Sequence, residues 1–115
     1  MKLTIPRWFD RHLHLRDEDV LKIVLPCTLL QRATGAIIMG NLTPPDETST
    51  IEKAKAYQRR IVEARDAFFH APFIGGDFKP CMTCYLTDDI SPEEVVRGFE
   101  EGVWCAVKLY MADQK

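Results

Sequence analysis

Residues 35–42 read GAIIMGNL, and the fold class turns on that run. It is continuously apolar, of strand length and bounded by glycines, with none of the polar alternation of a half-exposed strand. A strand buried on both faces belongs to a parallel sheet covered by helices. The flanking sequence supplies those helices.

Downstream, "TPPDETS" (residues 43–49) is a loop, because adjacent prolines fit inside neither regular element. Ser49 and Glu52 then stand three apart at the head of "STIEKAKAYQRRIVEARDAFF", the spacing of a reciprocal capping box. Ile51, Ala54, Ile61, Val62 and Phe69 broadly trace one face of the predicted helix. "HAPFIGGDFKP" is a loop leading into a third strand, "FKPCMTCYL". A further helix opens at Ser91, with Pro92 at the favoured first position and Glu94 completing a second box, and presents Val95, Val96 and Phe99. "VWCAVKLYM" is a fourth strand.

Upstream, "DVLKIVLPCTLL" has helical spacing with Asp19 as N-cap, and Pro26 predicts a broken helix. Before it "FDRHLHL" reads as the first strand, with a short strand at "KLTI" as a further candidate. Strand, helix, strand, helix, strand, helix, strand is the alternation of an α/β fold: about four parallel strands joined by three crossover helices. With 115 residues and no linker the chain is expected to be one domain, 1–115.

A hydrophobic content of 46% against 28% charged residues is the balance of a globular protein. A formal charge of -2 with scattered Lys and Arg gives no basic stripe for nucleic acid or an anionic membrane. No apolar run reaches the length of a transmembrane helix or signal peptide, so a cytoplasmic protein is expected. Cys27, Cys81, Cys84 and Cys105 lie in apolar or strand-like segments, which suits reduced thiols. Cys81 and Cys84 form a C-x-x-C, but on a strand positions three apart face opposite ways.

Chemistry concentrates in "DRHLHLRD", residues 10–17. On a strand His12 and His14 share a face, with Cα atoms about 6.6 Å apart, so both imidazoles can lean onto one metal ion. Asp10 has the same parity and is a candidate orienter. Exposed strand-end histidines without a metal are the bland alternative. Lys108 sits in the most apolar strand, where desolvation would leave a neutral amine able to react with carbon dioxide; otherwise it ends the strand and reaches solvent. Arg16 and Asn41 each follow a strand, at the end where parallel α/β folds bind ligands. Arg16 suits a bidentate grip on a carboxylate, and Asn41 can donate and accept. The alternatives are a surface ion pair of Arg16 with Asp17 or Asp19, and a turn-forming asparagine.

Taken together, "DRHLHLRD", "IIMGNLTPP", "CMTCYLTDD" and "RGFEEGVWCAVKLY" resemble, in order and spacing, the amino-terminal part of dihydroorotase, an amidohydrolase. The resemblance runs from about Ile5 to Tyr110 and is greatest to the monofunctional bacterial and plant type. It implies the amino-terminal half of a (β/α)8 TIM barrel, a fold that typically takes ~250 residues. It implies that His12 and His14 bind zinc and that Lys108 is carboxylated and bridges two zinc ions. It implies that Arg16 and Asn41 hold the substrate carboxylate. The implied reaction is the reversible cyclisation of N-carbamoyl-L-aspartate to dihydroorotate in pyrimidine biosynthesis, with zinc polarising a carbonyl and activating water. This chain departs from the family at Gly40, where proline is common, at Arg11, where a tryptophan-like residue is common, and near Glu18, where glycine is common. The family's further zinc histidines and its general acid/base aspartate lie beyond the region of resemblance. A truncated chain, inactive alone, is therefore expected, its unpaired edges favouring self-association or a complementary second-half chain. The alternative is a noncatalytic half-barrel binding module; a hydantoinase or allantoinase relative is a third reading, disfavoured by "CYLTDD" and "AVKLY".

Overall fold

The computed structural model describes residues 1–43, 47–68 and 76–110. Four strands, β1 (Asp10–Leu13), β2 (Gly35–Ile38), β3 (Lys79–Tyr85) and β4 (Trp104–Lys108), form one sheet in the order β1-β2-β3-β4. All neighbours are parallel. Helices α1 (Glu18–Leu30), α2 (Ile51–Phe68) and α3 (Pro92–Glu100) make the crossovers, giving the α/β fold that the alternation predicts, in the half-barrel form that the resemblance implies. No strand forms at "KLTI". Phe69 and most of the α2–β3 connection lie outside the described residues.

The core lies between the helices and one face of the sheet. Leu21, Leu25 and Leu29 recur every four residues along α1, and Ile51, Ala54, Tyr57 and Ile61 line α2; all are buried. They meet Ala36 and Ile38 of β2 and Met82 and Cys84 of β3 in one cluster. That packing explains why α1 is a single helix rather than a broken one: Pro26 removes one amide, but the leucine stripe passes straight through it. Its N-cap is Asp17, not Asp19, and the Asp17 carboxylate accepts from the Glu18 amide. The α2 cap also differs from the Ser49/Glu52 box. Thr50 Oγ1 accepts from the Lys53 amide, and the Ile51 amide donates to Glu94 Oε1 on α3. Glu94 thus caps a neighbouring helix instead of closing its own box, while Ser91 Oγ accepts from the Glu94 amide as expected. On α3 only Gly98 is buried; Val96 and Phe99 are exposed.

The opposite, interior face of the sheet is only partly covered. Ile37 and Cys81 are paired across β2 and β3 and both half-buried there, so β2 is less enclosed than its apolar run predicts. Cys84, three residues beyond Cys81, is buried in the helix-side core, and all four cysteines are free thiols. At the amino end, Arg7 ties the first segment to the rest, donating to Asp77 and to the carbonyls of Arg32 and Ala33. Gln58 and Arg65 donate to the carbonyls of Pro80 and Phe78, fastening α2 to the start of β3.

β4 is an edge strand, so Lys108 is half-buried at its end rather than enclosed. Its anchor is Trp104, buried against α3 with its indole N–H donating to the Val95 carbonyl. Gly98 is required there, because a Cβ would stand 2.1 Å from the indole ring. Gly98→Ala should therefore destabilise the fold by about 1–3 kcal/mol, the usual cost of overpacking. A urea midpoint equal to wild type would contradict this packing.

Candidate functional site

Two register irregularities decide which side chains reach the interior face. In β4, Met82 pairs with Trp104 and Thr83 with Ala106, so β4 gains one residue between the pairs. Paired residues of adjacent parallel strands share a face, and this bulge reverses the parity. Trp104 points to the helices, while Lys108, paired with Tyr85, turns to the interior. Without the extra residue the two would share a side.

In β1, Asp10 pairs with Ala36 and Leu13 with Ile38, another gain of one residue. Leu13 packs against the helix-side core, which leaves His12 and His14 on the interior face. The same bulge breaks the shared parity of Asp10 and His12. Asp10 Oδ1 accepts from the His12 backbone amide rather than orienting a ring, which corrects its expected role.

The two imidazoles converge. Their Nε2 atoms are 3.2 Å apart, with ring centroids at 5.1 Å. The two Nε2 atoms share one N–H···N hydrogen bond, one ring donating and the other accepting. It also meets the demand of a tetrahedral ion, whose bonds of about 2.05 Å to nitrogen set the two atoms about 3.3 Å apart. Burial, followed by the charges of Arg16, His12 and Lys108, lowers the His14 pKa, keeping its ring in the neutral form that ligates. Among the described residues no group of three or more His, Cys, Asp or Glu gathers, so the pair accounts for two positions around an ion. The remaining histidine, His70, lies outside the described residues.

Arg16 and Asn41 line one cavity of about 760 Å³, together with Asp17, Glu18, Val20, Leu42 and Thr43. The expected alternatives for Arg16 do not form: Asp17 pairs with Arg60, and Asp19 with Lys22. Asn41 Oδ1 is buried without a hydrogen-bond partner among the described residues, an acceptor waiting for a donor. Gly40 sets up that turn. Its carbonyl accepts from the Leu42 and Thr48 amides, and a Cβ would overlap Thr48 Oγ1, whose hydroxyl donates to Thr83 O.

The segment after β1 is strained. Arg16 and Glu18 have φ of 58° and 49°, left-handed values that cost a non-glycine residue about 1–2 kcal/mol each. Holding them are Tyr57, whose hydroxyl donates to the Arg16 carbonyl, and Arg60, whose Nε and Nη2 donate to the two Asp17 oxygens at 2.9 and 2.7 Å. Burial raises the Asp17 pKa, but the Arg60 hydrogen bonds, the Glu18 amide and the Arg60 charge outweigh it and leave it lowered. Tyr57 and Arg60 were not among the expected site residues; their signal is a tyrosine and an arginine three apart on α2, facing a loop that sequence cannot place.

No family model matches the chain. Among solved structures it is similar to dihydroorotase from Saccharomyces cerevisiae in complex with 5-fluoroorotic acid, with a TM-score of 0.76 at 24% identity. The match covers 92% of this chain and 26% of that one, so the chain spans about a quarter of that enzyme's length. The likeness establishes the fold: four parallel strands and three helices arranged as in half a TIM barrel. No helix among the described residues is long and apolar enough to cross a membrane.

Two outcomes follow from the strained segment. Glu18→Gly should raise stability by about 1 kcal/mol, read as an increased denaturant midpoint, because glycine adopts this φ without strain. Asp17 has a folded pKa below its ordinary 3.8, so its stabilisation is complete above that pH and is lost as pH falls through the folded value. Asp17→Asn should cost stability at pH 7, with the difference from wild type shrinking toward pH 3. A pH-independent difference in thermal midpoint would contradict the assignment.

Proposed function

We propose that this chain carries the first half of a zinc-dependent dihydroorotase-type site for the reversible cyclisation of N-carbamoyl-L-aspartate to dihydroorotate. The supporting observation is the convergence of the His12 and His14 Nε2 atoms at 3.2 Å, on the sheet face that also carries Lys108. Arg16 and Asn41 border a cavity at the same carboxyl end of the sheet, as a carboxylate ligand needs. The residue pattern in order along the chain is the second support.

In this reading His12 and His14 hold one zinc through Nε2. Lys108 Nζ, once deprotonated, would add to carbon dioxide with loss of a further proton and become a carbamate, whose oxygens could help to hold a metal ion. Zinc bound there would polarise the substrate carbonyl and activate water for attack. The Arg16 guanidinium pairs with the substrate carboxylate, and Asn41 Oδ1 accepts from a substrate N–H. The proton carrier and remaining ligands are supplied by a complementary half, and the assembled enzyme is cytoplasmic.

A noncatalytic half-barrel module is the second reading, favoured by the edges. Among the described residues β1 and β4 each pair on one side only, and Trp8 and Phe9 near one edge and Val107 and Leu109 at the other are exposed. Such edges suit pairing with another chain, whether a second copy or a complementary half.

Zinc content per chain after gel filtration separates these readings. Wild type should retain zinc that the His12→Ala, His14→Ala double variant loses, and no dihydroorotate ring opening should be detectable from the 115-residue chain alone. Equal zinc in both proteins would remove the proposed site. Turnover by the chain alone, abolished by His12→Ala, would contradict the need for a second half.

A further inference from the structure

Arg16 is held by groups that leave its guanidinium alone. The Tyr57 hydroxyl donates to the Arg16 carbonyl, and Arg60 grips both Asp17 oxygens. The Asp17 carbonyl in turn accepts from the Leu21 amide, and its carboxylate from the Glu18 amide. Every atom engaged belongs to Asp17 or to the backbone of residues 16–18. The Arg16 side chain stays at the cavity that it shares with Asn41.

The two grips form one rigid unit. Tyr57 and Arg60 are three apart on α2, and the Arg60 guanidinium lies over the Tyr57 ring at 5.4 Å from its centroid. Tyr57 is fully buried, so its hydroxyl has a fixed position and the Arg16 carbonyl must come to it. That contact is made with left-handed backbone at Arg16 and Glu18, a conformation that costs non-glycine residues energy. Local strain held at a cavity by a buried tyrosine and a half-buried arginine is a form of preorganisation.

We propose that Tyr57 and Arg60 are positioning residues: a clamp on α2 that sets the Arg16 guanidinium toward the cavity for a carboxylate ligand. The ligand class rests on the function proposed above; the clamp's hold on the backbone does not. Removing the Tyr57 hydroxyl leaves the ring and its packing in place but lets the Arg16 carbonyl move. The guanidinium then samples several directions, and ligand affinity falls while the fold persists.

The test is an NMR titration of the 115-residue chain with N-carbamoyl-L-aspartate, using wild type, Tyr57→Phe and Ile61→Val. Ile61 is buried on the same helix and makes none of the clamp's hydrogen bonds, so its variant reports on core packing. Tyr57→Phe should weaken binding about tenfold or more, as misplacement of a positioning group does, while Ile61→Val binds as wild type. Equal affinity for Tyr57→Phe and wild type, or an equal loss in Ile61→Val, overturns the clamp. A second readout needs no ligand. A strong intraresidue amide-to-Hα NOE marks left-handed backbone at Arg16 in wild type and should weaken in the Tyr57→Phe, Arg60→Gln double variant. If that NOE weakens but wild type binds no ligand, the carboxylate reading fails and the clamp's hold on the loop stands. If the NOE is unchanged, the clamp is overturned whatever binds.

Discussion

The structure depends on the parallel ladder being out of step in two places. A regular β4 would present Trp104 and Lys108 on one side, and a single extra residue lets the indole anchor α3 while the lysine faces the interior. The extra residue in β1 has a matching effect: Leu13 enters the core while His12 and His14 reach the other face. Both bulges lie in edge strands, where a missing ladder bond costs least and where bulges are common near functional sites. The central strands β2 and β3 pair without irregularity and carry the buried core, so the deviations are confined to the strands that bear the chemistry.

The two ends of the sheet have different tasks. At the amino end Arg7, Trp8 and Thr34 knit the first segment to the loops before β2 and β3 with hydrogen bonds to carbonyls and to Asp77. At the carboxyl end lie the left-handed residues Arg16 and Glu18, the unpartnered Asn41 oxygen and the convergent imidazoles. Two of the three left-handed non-glycine residues among those described, with the unpartnered Asn41 oxygen, lie where ligands of parallel α/β folds bind; the third, Arg32 with a φ of 63°, lies in the turn before β2 at the amino end.

Much of this was legible in the sequence. The alternation of apolar strands and amphipathic helices predicts an α/β fold with parallel strands, because hydrophobic periodicity is a local property, while the half barrel is what the resemblance implies. His12 with His14, and Arg16 with Asn41, could be grouped from spacing and strand ends alone. The errors came from contacts that no local pattern encodes. The α2 cap comes partly from Glu94, 43 residues away, and the α1 cap shifts to Asp17 because Arg60 and the Glu18 amide hold it there. A bulge is defined only against a partner strand, so no local pattern shows that Asp10 and His12 part faces, or decides between a desolvated Lys108 and one at the strand end; the structure leaves it half-buried at the end of β4. Glu18 is the instructive departure. The resemblance implies a glycine near this position, and a left-handed φ of 49° at Glu18 is a conformation that glycine adopts without strain.

The central claim is that the β1 bulge aims two imidazoles at one ion on the interior face. A crystal structure of the zinc-loaded chain with anomalous data at the zinc edge tests it most directly. The account predicts a zinc peak about 2.0–2.1 Å from both His12 Nε2 and His14 Nε2, on the side of the sheet that carries Lys108. Zinc bound elsewhere, or a peak touching only one of the two rings, would contradict it.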